Sequence, residues 1–196
     1  MKRKFIAALV IAWALTPASL FTQAGFAPNP TGAPVAAPVA PVTDPTTIRD
    51  EFLGHFRSSS RKISELARVM PAEKFSWAPG EGVMQVGEVY MHLARYNFMY
   101  LDENLGIAPP NGFDYADIES LRDKDRVREI FEMSVRHVNE QVGALTGARL
   151  DEETELYGRT VQGWAVLLQL ISHMNEHVGQ SVAYARMNGV VPPWSR

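Results

Sequence analysis

An all-α fold, specifically a four-helix bundle, follows from three features of the sequence. Four segments carry apolar residues at a spacing near 3.6. Connections containing Gly and Pro separate them, and no segment sustains period-two alternation. Such segments bury their apolar stripes most economically against one another, here as antiparallel helices with two longer connections. Composition agrees: 196 residues, 46% hydrophobic and 21% charged, fit one soluble domain with an appendage.

The appendage is N-terminal. Lys2, Arg3 and Lys4 precede the apolar run from Phe5 to Leu15, which at about 11 residues is short for a membrane span of about 20 but suits a secretory signal. Small residues offer cleavage after Ala24 or Ala27. Residues 1–27 are therefore read as a signal peptide, with an uncleaved N-terminal anchor as the alternative. The mature protein is expected to be exported, periplasmic or extracellular, without a membrane span. Residues 28–45 form an Ala/Pro-rich linker, because repeated Ala-Pro-Val steps cannot continue a helix and favour extended chain. The domain is placed at 46–196.

Within it, Ile48, Phe52, Phe56, Ile63, Leu66 and Met70 share one helical stripe, with Thr46 or Thr47 as N-cap and Pro71 as the stop. A second helix is expected from about Gln85 to Asn104, with Val86, Val89, Tyr90, Leu93, Asn97, Tyr100 and Leu101 on one side. The third runs from about Arg122 to Leu145 on Val127, Ile130, Phe131, Ser134, Val135, Val138 and Val142. The fourth, about Val161 to Met187, is the most apolar, and its stripe reads Trp164, Leu167, Leu168, Ile171, Asn175, Val178 and Val182. Asn188-Gly189 and Pro192-Pro193 end it.

Charge and cysteine content narrow the chemistry. Lys plus Arg number 19 against 22 Asp plus Glu, a net charge of −3, and loss of the three N-terminal cations takes the mature chain to about −6. Nothing in that balance favours nucleic acid, whose phosphates need a basic surface. The absence of cysteine excludes disulfides, a protein thiol nucleophile and Cys-ligated metals. A metal must be held by nitrogen and oxygen, and five histidines are available.

His173 and His177, four apart on the fourth helix, place both imidazoles on one face, near enough to share an ion. His92 on the second helix makes a third candidate ligand, since facing helices of a bundle can converge on its interior. Three neutral imidazoles would leave positions open for water and substrate, the pattern of a catalytic site. His55 and His137, each alone on its helix, are read as packing or surface residues. Trp77, in the loop before the second helix, is read as a hydrophobic plug, with a cover over the metal as the alternative. His173-Met174-Asn175-Glu176-His177 also satisfies H-x-x-E-H, which would make Glu176 a general base of a metallopeptidase. No acid follows Glu176 to complete that ligand set, so the peptidase reading ranks low.

The segment His173 to Gln180, continued by Tyr184 to Pro193 (YARMNGVVPP), closely resembles the C-terminal helix and exit turn of DinB-like proteins. Val86 to Ala94 (VGEVYMHLA) is similar to that family's first histidine segment, and the resemblance spans about residues 46–194. It implies a four-helix bundle with a three-histidine metal site at His92, His173 and His177, and a homodimer. Related proteins hold nickel, zinc or another divalent ion. The family includes enzymes that use a low-molecular-weight thiol, bacillithiol or mycothiol, as transferases or as an isomerase.

The leading reading is thus a metal-dependent enzyme, transferase- or hydrolase-like, acting on a small molecule. Glu176 is a weak catalytic candidate, while Asn97, Gln180 and Tyr184 are candidates for orienting ligands or contacting substrate. An export signal sits poorly with the chiefly cytoplasmic thiols, which turns attention to metal-bound hydroxide. The competing readings are a non-catalytic module in which metal staples two helices, and an interaction domain with empty histidines.

Overall fold

The computed structural model describes residues 44–195. The expected signal peptide and nearly all of the expected linker lie outside the described residues. Among those described, no helix is long and apolar enough to cross a membrane.

Helix α1 (Pro45–Val69) begins one residue before the expected boundary and is capped differently from the sequence reading. The Asp44 carboxylate, rather than Thr46 or Thr47, accepts the Thr46 amide at 2.9 Å, and Pro45 takes the first turn, where its missing N–H costs nothing. Phe52, Phe56, Ile63, Leu66 and Met70 are buried along its stripe, as expected. Each such side chain removed from water contributes about 1.5–3 kcal/mol before conformational entropy is set against it. Pro71 follows the helix end.

Helix α2 (Val86–Met99) opens with the Glu88 side chain accepting the Gln85 amide, and it runs on through a π turn, Tyr100–Asn104. All seven residues of its expected stripe are buried. A connection with two single-turn 3₁₀ segments leads to α3 (Lys124–Gly143), capped by Asp123. After a short α4 (Gly147–Leu150), a hairpin of β1 (Glu153–Leu156) and β2 (Arg159–Gln162) precedes α5 (Gly163–Met187). The hairpin corrects the expectation of no strands and shortens the fourth long helix at its start. Four polar-rich residues per strand are too few to register as a period-two run.

The four long helices form the bundle, α1 and α2 each packing against both α3 and α5. Side-chain ties fix their directions. Lys124, at the start of α3, donates to the Arg68 and Met70 carbonyls at the end of α1, while Arg49 reaches the Leu145 carbonyl beyond the end of α3. Thus α1 and α3 are antiparallel. Arg122, just before α3, donates to Gln85 and Glu88 at the start of α2, and Asn97 bonds Ser134 further along both helices, so α2 and α3 run parallel. Helix α5 is antiparallel to α2, since His173 meets His92 and Gln169 meets Tyr100, and it is therefore parallel to α1, where Ser59 bonds Asn175. The antiparallel expectation holds for two of the four neighbouring pairs. The long α2–α3 connection is the crossover that a parallel pair requires.

One stripe is rotated from its expected position. On α5 the buried residues after Gly163 are Val166, Leu167, Leu170, Met174, His177, Ser181, Tyr184 and Ala185, whereas Leu168 is 49% exposed and Asn175 is also exposed. Apolar residues cover most of that helix's first half, so their periodicity does not select a face.

Candidate metal centre

The site lies where α2 faces α5. His92 and Tyr96 occupy successive turns of α2, and Tyr100 begins the π turn one step further. Gln169, His173 and His177 occupy successive turns of α5. Four-residue steps keep such series on one face, and antiparallel packing brings the two faces together. One potential ligand atom from each of His92, His173 and His177 lies within 4.8 Å of the others. His92 Nε2 and His173 Nε2 are 3.1 Å apart, a separation that suits neighbouring donors on one ion bound at about 2.0–2.1 Å.

Two imidazoles have their outer nitrogens engaged. Nδ1–H of His92 donates to the Glu119 carboxylate at 2.7 Å, and Nδ1–H of His177 donates to Gln180 Oε1 at 2.6 Å. Each bond selects the tautomer that leaves Nε2 with a free lone pair, as ligating histidines require. Gln180 in turn donates through Nε2 to the Tyr184 hydroxyl at 2.9 Å, and Tyr184 packs edge-on against Trp77 with ring centroids 5.5 Å apart. Trp77 accordingly braces the chain that orients His177.

Burial disfavours protonation of His173 and His177. His173 is lowered to about 3, first by desolvation and then by the proximity of His177 and His92, each of which would repel a second positive charge. Burial also lowers His177, against a smaller opposing effect of the Gln180 hydrogen bond. With Nε2 of His92 and His177 left free and His173 and His177 resisting protonation, the cluster has donor chemistry suited to a borderline divalent cation such as zinc or nickel.

Glu119 depends on a local clamp. It belongs to the 3₁₀ turn Ile118–Ser120, and Arg122 gathers the turn against the start of α2 by donating to the Glu119 and Leu121 carbonyls, Gln85 Oε1 and the Glu88 carboxylate. Gly87 permits the approach: a Cβ there would lie 3.1 Å from the Phe75 carbonyl oxygen and 3.3 Å from that of Leu121.

The structure thus brings together His92, His173, His177, Gln180 and Tyr184 from the sequence reading. It does not bring Asn97, which is 2% exposed and donates to Ser134 on the α3 side of α2. Five positions round from His92, its side chain faces a different neighbour. Glu176 is exposed and outside the cluster, which leaves H-x-x-E-H without a base facing the histidines. His55 is exposed, and His137 is buried against Phe98 with its protonation disfavoured by desolvation.

Sequence reasoning missed Glu119, Tyr96, Tyr157 and Gln169 and took Tyr100 only as core. Tyr96 lies 4.5 Å from His92 and 4.6 Å from His173, ring centre to ring centre. The repeated four-residue steps from His92 and back from His173 point to Tyr96, Tyr100 and Gln169. Glu119, 27 residues from its partner, has no such local signal.

Comparisons with known proteins bear on the family and the fold. Residues 43–196 match the model of the DinB family. The uncharacterized protein YjoA of Bacillus subtilis (strain 168) is 26% identical over 144 residues, covering 71% of this chain and 90% of the relative. Among solved structures, a DinB-like protein from Bacillus cereus ATCC 10987 superposes with a TM-score of 0.64 at 19% identity, over 74% of this chain and 95% of its own. The DinB-like YjoA structure from B. subtilis superposes with a TM-score of 0.55 at 25% identity, covering 71% and 92%.

Proposed function

The chain belongs to the DinB family, and from that premise we propose that it is a divalent-metal-dependent enzyme, transferase- or hydrolase-like, acting on a small molecule. His92, His173 and His177 hold the ion. The observation that carries this reading is the convergence of three imidazoles, two of them with Nδ1 committed to a side-chain acceptor. A purely packed histidine cluster has no need of two separate orienting chains.

A bound divalent ion supplies a nucleophile at neutral pH by acidifying a coordinated water or thiol. The chain's own residues do the rest. Glu119 and Gln180 keep the Nδ1 protons in place, so that His92 and His177 present lone pairs inward. Desolvation of His173 and His177 resists protonation that would compete with a metal. Among the described residues three protein ligands converge, which leaves room for substrate and favours a catalytic centre over a structural staple.

We also propose export of the mature chain and a homodimeric state, on the N-terminal pattern and the family resemblance respectively. An exported enzyme has little access to cytoplasmic thiols, which favours water as the nucleophile.

Metal content decides the reading. Residues 28–196, purified without a histidine tag and reconstituted with nickel, zinc or manganese, are expected to carry near-stoichiometric metal. A His173→Ala/His177→Ala double variant is expected to lose it. No metal in the wild-type protein after all three reconstitutions overturns the proposal.

A further inference from the structure

The hairpin before α5 carries an unusual residue at its tip. Leu156 pairs with Arg159, so Tyr157 and Gly158 alone make the turn, with φ of +51° and +72°. Positive φ at both positions is the I′ pattern, which favours Asn-Gly and disfavours a bulky side chain at the first position. Tyr157 is 63% exposed, so core burial does not account for it.

The tip is aimed at the three-histidine face. Asn104, the last residue of the π turn, donates to the Glu155 carbonyl and accepts from the Thr154 hydroxyl, each at 2.5 Å. With its strands so fastened, the hairpin delivers the Tyr157 hydroxyl to within 2.5 Å of the Tyr100 hydroxyl. Tyr100 begins the π turn, lies edge-on to His173 with ring centroids 6.2 Å apart, and accepts from Gln169 Nε2 at 3.4 Å. Tyr96 bridges the two, its ring 4.6 Å from His173 and 5.6 Å from Tyr100. Two departures from regular backbone, a π turn and a left-handed tyrosine, meet at one pair of hydroxyls beside the histidines.

A count of protons gives this pair a function. Gln169 donates to Tyr100, and one phenolic O–H donates to the other oxygen. The other proton, on the exposed Tyr157, is taken by no described residue and is open to solvent. A solvent-facing donor beside a ligand site can instead serve an acceptor on a ligand. Charge-assisted bonds to a carboxylate are the strongest such match.

We infer that Tyr157 and Tyr100 form the substrate-recognition side of the histidine site and bind the carboxylate of a small carboxylic-acid substrate. This inference rests on the metal-dependent reading above. Both tyrosines are substrate-binding residues, and neither contributes to holding the ion.

The test uses cobalt-loaded residues 28–196, with cobalt absorption reporting thiolate ligation. Mercaptoacetate, 3-mercaptopropionate and 4-mercaptobutyrate are titrated beside 1-propanethiol, which has no carboxylate. At least one mercaptocarboxylate is expected to bind about tenfold more tightly than 1-propanethiol. Tyr157→Phe and Tyr100→Phe are expected to retain wild-type cobalt content and propanethiol affinity while losing most of that preference. A preference unchanged in both variants assigns it to chelation by the probe and overturns the inference, as does no preference in the wild type. A wild-type protein that takes up no cobalt, nickel or zinc overturns the metal reading itself, and metal content measured before any thiol is added identifies that failure.

Discussion

The Glu119 carboxylate accepts a hydrogen bond from Nδ1 of His92 at 2.7 Å across a gap of 27 residues. It joins a long inter-helix connection to the histidine of α2. The bond fixes the ring's tautomer and orientation, and a carboxylate partner also raises the basicity of the opposite nitrogen. Removal of the carboxylate is therefore expected to weaken metal binding without disturbing the bundle, since Glu119 is only partly buried. Glu119→Ala should lose about 10–100-fold in metal affinity, and Glu119→Gln less, because an amide oxygen can still accept the proton. Competition against a chromogenic chelator measures both, with far-ultraviolet circular dichroism as the check on folding. Affinity unchanged in Glu119→Ala would show that the carboxylate does not support the site.

The depressed histidines make stability depend on pH in a defined direction. His173 is held down to about 3 and His177 is lowered too, both chiefly by burial, whereas in the unfolded chain each titrates near 6.5. Below about pH 6.5 the unfolded state binds more protons than the native state. Stability from these neutral rings is thus complete above about pH 6.5 and is lost as the pH falls towards 3. One proton contributes a slope of at most about 1.4 kcal/mol per pH unit. Thermal melts of chelator-treated protein from pH 7.5 to 4.5 should show the melting temperature falling across that window. His173→Gln should flatten the fall. An equal slope in the variant would place the dependence on other groups.

How far these relationships could be read from sequence varied with their range along the chain. The stripes of α1, α2 and α3 were legible because polar residues flank Phe52 and Phe56, Tyr90 and Leu93, and Ile130 and Phe131 at helical intervals. On α5, Trp164, Val166, Leu167, Leu168, Leu170 and Ile171 surround most of the helix, and the pattern could not reject Leu168 as core. His173 and His177 were legible because i, i+4 spacing is local geometry; their meeting with His92 depended on the family resemblance as much as on the residues. Glu119 and Tyr157 were not legible. One is placed by the Arg122 clamp and the other by a hairpin lacking the Asn-Gly turn signature, and both arrangements are tertiary.

Glycine 87 offers a test of how tightly the Glu119 turn is held. A glycine inside a helix costs about 1 kcal/mol relative to alanine, so Gly54→Ala on α1, where a Cβ meets nothing within 4 Å, should stabilise the protein by up to about that amount. The same substitution at Gly87 should have the opposite sign. Its Cβ would press on the Phe75 and Leu121 carbonyl oxygens at 3.1 and 3.3 Å, and the Gly87 amide is already committed to the Phe75 carbonyl at 2.9 Å. Backbone on both sides leaves little room to yield, and overpacking of this kind costs about 1–3 kcal/mol, which outweighs the gain in helix propensity. Because Leu121 lies two residues from Glu119, its displacement should carry the carboxylate away from His92. Gly87→Ala is thus expected to lower both the melting temperature, by a few degrees for a domain of this size, and the metal affinity. A variant that loses stability but binds metal as tightly as wild type would uncouple the Arg122 clamp from the histidine site.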